Sequence, residues 1–233
     1  MNNEPIILII IPVYNEKEII RSVLNELLDH SYRNIIVVDD GSEQDVFSEL
    51  SDLPVYYVRH PVNLGQGAAL QTGFDVAKQM RCDVIITFDA DGQHDHRDLM
   101  PLIAPVINDK ADIVFGSRFL GTDKSRMPVF RKYVLKCARF VNYLFTGIML
   151  TDAHNGLRAF HPKVLQLFRI TENRMAHASE ILYETNKHHL RYAEVAVHIR
   201  YTSYSKVKGQ GNWNNIKIFS DVVLHKLFRS SSK

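Results

Sequence analysis

The sequence predicts an α/β fold with a mainly parallel central sheet flanked by helices. Short, wholly apolar runs recur along the first half of the chain, and amphipathic stretches of helical length separate them. Polar residues cluster at the carboxyl ends of those runs, where open parallel sheets bind ligands.

Residues 6–11 form a β-branched and leucine run, the pattern of a strand buried on both faces. Pro12 ends it, and residues 16–30 follow with Ile19, Ile20, Val23, Leu24, Leu27 and Leu28 at helical spacing. Residues 35–38 are a second buried strand closed by Asp39-Asp40-Gly41-Ser42, and residues 55–58 a short third. Asn63 opens a glycine-containing turn, and a helix then runs to about residue 80. Residues 84–88 are a strand ending at Asp89, and residues 113–115 another. Between them residues 97–107 read as a helix despite Pro101 and Pro105.

The second half is less regular. Residues 129–150 have helical periodicity, with Phe130, Val134, Ala138, Val141 and Phe145 on one face. Residues 194–201 alternate like a half-buried strand, 203–215 read as a polar loop, and 214–228 as a final amphipathic helix. The chain of 233 residues is expected to be one catalytic domain, with a nucleotide-binding half at 1–120 and an acceptor-binding half at 121–233.

At 45% apolar and 23% charged, the composition is that of a globular protein, and a net charge of +2 gives no reason to expect a nucleic-acid partner. The charge is unevenly spread. Between residues 118 and 139 stand Arg118, Lys124, Arg126, Arg131, Lys132, Lys136 and Arg139 against one acid, Asp123, so the rest of the chain is net acidic. No secretory signal precedes the first strand, and the apolar stretch at 140–150 is too short to span a bilayer. These features predict a cytoplasmic protein, peripheral on the cytoplasmic face of the membrane. Cys82 and Cys137 have neither metal-like nor disulfide-framework spacing.

Asp89-Ala90-Asp91-Gly92-Gln93-His94 follows a buried strand directly. Carboxylates at i and i+2 past a strand end can both turn toward a hard divalent cation, Mg²⁺ or Mn²⁺, which prefers oxygen ligands and keeps positions for phosphate. Taken alone, the same residues are equally those of an ordinary turn. Three of the four strand ends that meet in one crevice carry carboxylates, a costly collection of like charge unless a cation joins it.

The run does not stand alone. Pro12-Val13-Tyr14-Asn15-Glu16, Val38-Asp39-Asp40-Gly41-Ser42, Asn63-Leu64-Gly65-Gln66-Gly67 and Gly116-Ser117-Arg118 accompany it in this order. Over residues 6–120 the set resembles the family 2 glycosyltransferases, which implies the nucleotide-sugar-binding GT-A fold. Farther on, Asp152, Asn155-Gly156-Leu157-Arg158, Glu180, Arg200 and Lys206 are similar to the dolichol-phosphate mannose synthase branch. That resemblance implies an inverting, metal-dependent transfer from a nucleotide diphosphate-sugar donor to a polyprenyl phosphate acceptor. It assigns Pro12, Tyr14, Glu16, Val38 and Asp40 to the base and ribose, and Asp89 and Ala90 to the nucleotide site. It gives Asp91 and Gln93 to the metal, and Arg118, Arg200 and Lys206 to phosphates. Asp91, Asp152 and Arg118 are the expected catalytic residues, with the 203–215 loop closing over the diphosphate through Lys206.

A saccharide hydroxyl acceptor needs a carboxylate base, for which Asp152 and Glu180 are the candidates. A lipid phosphate needs none, because its oxygen is already anionic; it needs cations, and Arg131 and Lys132 on the basic helix fit that role. Family 2 transfer to a saccharide hydroxyl is the alternative reading, and a non-catalytic nucleotide-sugar-binding module is the alternative of another class. The intact D-x-D argues against the module. A sugar-1-phosphate nucleotidyltransferase would carry a glycine-rich phosphate loop where this chain has Pro12-Val13-Tyr14-Asn15-Glu16. The histidines at 94, 96, 154, 177, 188 and 189 have no zinc-site spacing and are expected mostly at the surface.

Overall fold

Continuous apolar strands need apolar cover on both faces, and helices on the two sides of one seven-stranded sheet supply it. The structure, a computed structural model, describes residues 4–120, 139, 140 and 142–200. All of these fall in one compact unit that ends at Arg200. The strands are β1 (Ile7–Val13), β2 (Asn34–Asp39), β3 (Tyr56–Arg59), β4 (Val84–Thr87), β5 (Ile113–Ser117), β6 (Arg158–Phe160) and β7 (Tyr192–Ala196). Their order across the sheet is β3-β2-β1-β4-β6-β5-β7.

Successive side chains of a strand point to opposite faces, and β1 divides accordingly. Ile9, Ile11 and Val13 face the cluster that holds helix α1 (Lys17–Asp29). Leu8 and Ile10 face the other, which holds helix α2 (Gln66–Ala77). Helix α3 (Leu99–Ile107) joins α1 through Leu99, Leu102 and Ile103. The short α4 (Val164–Leu167) and α5 (His177–Lys187) join α2 through Val164, Ile181 and Leu182. The predicted flanked sheet is the observed one, and β1 to β4 pair in parallel.

Some expectations shift. The parallel order breaks at β6, which lies antiparallel between β4 and β5. The strand expected at 194–201 begins earlier and stops at Ala196, because its partner β5 ends at Ser117. Beyond it the chain leaves the sheet, forms an isolated bridge from Ile199 to His94, and donates Arg200 N to Gln93 O at 2.9 Å. The helix expected at 97–107 is a 3-10 turn, His96–Asp98, followed by α3. Pro101 falls in the first turn of α3, where an amide N–H would be unpaired anyway.

Of the expected 129–150 helix, residues 139, 140 and 142–146 are described and helical. Phe145, on the expected apolar face, is exposed, as are Phe140, Tyr143 and Leu144. Arg131, Lys132, Lys206, the 203–215 loop and the 214–228 helix lie outside the described residues. No helix among the described residues is long and apolar enough to cross a membrane.

Candidate active site

β1 is flanked by β2 on one side and β4 on the other, so the connections diverge at its carboxyl end and leave a crevice there. A cavity of about 520 Å³ occupies it, within the range of small-ligand sites. Pro12, Tyr14 and Glu16 line it from β1, Asp40 from β2, and Asp89, Ala90 and Asp91 from β4. These are seven of the residues that the resemblance assigned, brought together from three strand ends.

The loops after β1 and β2 are stitched to one another. Asp40 N donates to Val13 O at 2.8 Å, Asn15 N to Ser42 Oγ at 2.9 Å, and Glu43 N to Asn15 Oδ1 at 2.9 Å. Asp40 is nearly consumed by the fold. Its Oδ1 meets His60 Nδ1 at 2.7 Å and accepts from Leu64 N at 3.0 Å, while Oδ2 accepts from Gly65 N at 2.6 Å. With about four lone-pair sites on a carboxylate, Oδ2 keeps roughly one for a ligand. Val38 is placed elsewhere: its side chain is fully buried in the α2 cluster and does not line the cavity.

Gly65 has a left-handed φ of 111°, and a Cβ there would come within 2.3 Å of Asn173 O. A Cβ on Gly67 would meet Glu172 O at 2.0 Å. The glycines therefore let a second loop, residues 171–175, sit directly on the first. Asn173 O accepts from Gly67 N at 2.8 Å and Ala68 N at 3.3 Å, which removes two amides at the start of α2 from any ligand. This docking brings Arg174 and Met175 to the cavity wall. Nothing in the sequence marked them, because a loop has no periodicity to read.

Glu180 holds that second loop. Its carboxylate accepts from Thr171 N at 3.1 and 3.0 Å, from Thr171 Oγ1, and from Glu172 N at 2.9 Å. It is a clamp, and it has no place in the cavity wall.

At the D-x-D run, Asp89 Oδ1 accepts from Gln66 Nε2 at 3.0 Å, and Oδ2 meets His94 Nε2 at 3.0 Å. His94 is buried at 5% exposure, and His177 is buried too, against the expectation of surface histidines. Burial opposes charge on Asp89, but the His94 hydrogen bond and the nearby Arg158 outweigh it and hold the carboxyl below its ordinary range. Asp91 goes the other way. Burial and then the Asp89 charge raise it above the usual carboxylate range, with Glu16 adding to the rise and the amide of Gln93, at 3.0 Å, opposing it. The charges of Asp89 and Glu16 both act against ionisation of Asp91, and a hard divalent cation beside Asp91 would relieve that repulsion. The Gln93 side chain does not line the cavity; its backbone serves Asp91 and Arg200.

Asp152, Arg118 and Arg200 stand outside the cavity wall. Arg118 grips Asp152 with Nε to Oδ2 at 2.6 Å and Nη2 to Oδ1 at 2.8 Å. Burial disfavours charge on Asp152, but this fork outweighs it and holds the carboxyl below its ordinary range. Glu194 of β7 anchors the arrangement by accepting from Thr151 N and Thr151 Oγ1, both at 2.7 Å. Arg200, expected at a phosphate, donates Nη1 to Glu26 Oε2 at 2.9 Å and Nε to Asp95 Oδ2 at 3.1 Å. The Arg200 hydrogen bond is the main reason that Glu26 is lowered to about 2.

Comparison with known proteins agrees with this geometry. Residues 8–168 match glycosyl transferase family 2. The chain is 33% identical over 244 residues to a UDP-N-acetylglucosamine--dolichyl-phosphate N-acetylglucosaminyltransferase of Methanococcus voltae, covering 96% of this chain and 97% of that one. It is 30% identical over 167 residues to the polyprenol monophosphomannose synthase of Mycolicibacterium smegmatis, covering 68% of this chain and 63% of that one. Among solved structures, glucosyl-3-phosphoglycerate synthase of Mycobacterium tuberculosis, in complex with Mn²⁺, UDP and phosphoglyceric acid, superposes with a TM-score of 0.68. That match has 18% identity and covers 97% of this chain and 79% of that one. The architecture is the GT-A fold, and the chain belongs to glycosyl transferase family 2.

Proposed function

We propose that the protein moves a sugar from a nucleotide diphosphate-sugar to a polyprenyl phosphate with inversion at the anomeric carbon. The observation that carries this reading is the state of the two candidate bases. Asp152 is forked by Arg118 and held below the ordinary carboxylate range, and Glu180 is wrapped around the 171–172 backbone. A saccharide hydroxyl needs a base to take its proton, and neither group is poised for it. A phosphate oxygen attacks without one. Its lone pair forms the new bond to the anomeric carbon, and the electrons of the breaking C–O bond leave with the nucleoside diphosphate. Named relatives at 33% and 30% identity act on dolichyl phosphate and form a polyprenol monophosphomannose, which supports the same acceptor class.

Pro12, Tyr14 and Asp40 would hold the base and ribose, and Asp89 would orient the sugar end while His94 and Gln66 keep it in place. Asp91, with Asp89, would hold Mg²⁺ or Mn²⁺. When bound, that cation supplies charge stabilisation for the departing diphosphate. Arg118, which the resemblance assigns to a phosphate, is held in position by its fork with Asp152. A screen of common nucleotide sugars with Mn²⁺ or Mg²⁺, with and without a short polyprenyl phosphate, tests the reading. Consumption of one donor should rise at least tenfold when the lipid phosphate is added. Transfer to a saccharide but not to the lipid phosphate would move the protein to the alternative acceptor class.

The acceptor is a membrane lipid, and the segment around residue 140 suits a membrane-surface contact on the cytoplasmic face. Phe140 and Leu144, one helical turn apart, are 56% and 64% exposed, and the basic residues Arg131, Lys132, Lys136 and Arg139 precede or join them in sequence. Each basic residue near an anionic leaflet contributes about 1 kcal/mol, and the apolar side chains add burial in the interface. Vesicle co-sedimentation should show binding that requires anionic lipid, falls with salt and weakens in the Arg131→Ala, Lys132→Ala double variant. If that variant binds vesicles and glycosylates polyprenyl phosphate as well as the parent does, Arg131 and Lys132 belong neither to the docking surface nor to the acceptor site.

A further inference from the structure

The cavity, as its carboxylates stand, repels an anionic ligand. Glu16, Asp40, Asp89 and Asp91 line it, and Arg174 is the one cationic side chain among its described lining residues. We propose that the Arg174 guanidinium binds a phosphate of the reacting pair in this cavity, either the donor's diphosphate or the acceptor's phosphate. The proposal deepens the function argued above and rests on it.

Three observations point to a built position. The first is the loop that carries Arg174. Glu180 ties down its start at Thr171 and Glu172, and Asn173 O caps Gly67 N and Ala68 N. Arg174 O meets His177 Nδ1 at 2.8 Å, which fixes its far side. The second is where the stem lies: a Cβ built on Gly65 would come 2.9 Å from Arg174 Cγ, so the side chain crosses the glycine loop at the residue that donates to Asp40. Gly65 leaves the room that this crossing needs.

The third is what the guanidinium does not do. Arg21, Arg97, Arg118, Arg191 and Arg200 each hold an internal carboxylate. Among the described residues Arg174 has no such partner, although four carboxylates share its cavity. Its five donors remain for a ligand, and a planar fork matches phosphate oxygens. A donor diphosphate and a lipid phosphate both offer that chemistry.

Titration of the parent and of Arg174→Ala with UDP, GDP, uridine and guanosine separates the outcomes, together with transfer kinetics on a short polyprenyl phosphate. The side chain is exposed, so the variant should fold as the parent does. If the donor is the partner, the nucleoside diphosphate that the parent binds should weaken about tenfold to a hundredfold, with the matching nucleoside unchanged. If the acceptor is the partner, nucleotide affinity should stay put and the KM for the lipid phosphate should rise by a similar factor. Arg174→Lys should recover part of either loss. Equal losses for nucleoside and nucleoside diphosphate, or no change in any quantity, overturn the proposal while a working parent keeps the function. A parent that binds no nucleotide and glycosylates no lipid phosphate overturns the function and this proposal together.

Discussion

Asp91→Asn should lose about a thousandfold in transfer rate while folding at least as stably as the parent at neutral pH. The rate loss follows from the several kcal/mol that a metal site contributes to a departing diphosphate, at 1.4 kcal/mol per tenfold. The stability follows from the sign of the Asp91 shift. Burial and the Asp89 charge raise its pKa in the fold, so the folded protein prefers the protonated form. A raised group adds stability below its unfolded value, near 4, and loses it as pH rises through the folded value. At neutral pH the ionised Asp91 is a cost to the parent, and asparagine removes it. Mn²⁺ should therefore raise the parent's Tm at pH 7, less so as pH falls through the raised value, and should leave Asp91→Asn unmoved. Thermal melts from pH 4 to 8 with and without Mn²⁺ check both statements. A variant with the parent's Mn²⁺ shift, or with its turnover, would remove Asp91 from the metal site.

Gly156→Ala is the second large effect, and it separates activity from folding. A Cβ on Gly156 would stand 2.1 Å from Asp89 Oδ2 and 2.6 Å from its Cγ, so the carboxylate has to move. A displaced side chain costs the fold about 1–3 kcal/mol, as overpacking does. The site loses more, because the Asp89 carboxylate leaves its contacts with His94 and Gln66. A misplacement of about 1 Å in a reacting site can cost about a hundredfold. The expected result is a Tm lowered by several degrees and turnover reduced at least a hundredfold, read by calorimetry and by initial rates. Wild-type turnover in the variant would show that the carboxylate's position is not critical.

β1, β2 and β4 were legible because strands buried on both faces must be continuously apolar, a property written in consecutive residues. The D-x-D run and Asp40 were legible for a related reason: polar residues that end such strands have only the sheet edge to occupy. β6 was not. It has three residues, among them the buried Arg158, and it inserts antiparallel between two strands far from it in sequence. The extent of β7 was set by where β5 ends, which its own alternation cannot report.

Within the site, the family resemblance assigned Pro12, Tyr14, Glu16, Asp40, Asp89, Ala90 and Asp91, and all seven line the cavity. Tertiary contacts decided the remainder. Arg200 looks like any cation in sequence, and only the approach of α1 and the 93–98 turn ties it to Glu26 and Asp95. Asp152 meets Arg118, and Glu194 holds the preceding Thr151, contacts that no local pattern announces. Arg174 reached the cavity because Gly65 and Gly67 leave room for another backbone, and Gly156 matters because Asp89 fills the space beside it. Periodicity and strand ends are local properties of the chain. Which charge meets which partner depends on segments up to 174 residues apart, as Glu26 and Arg200 are, and packing alone brings them together.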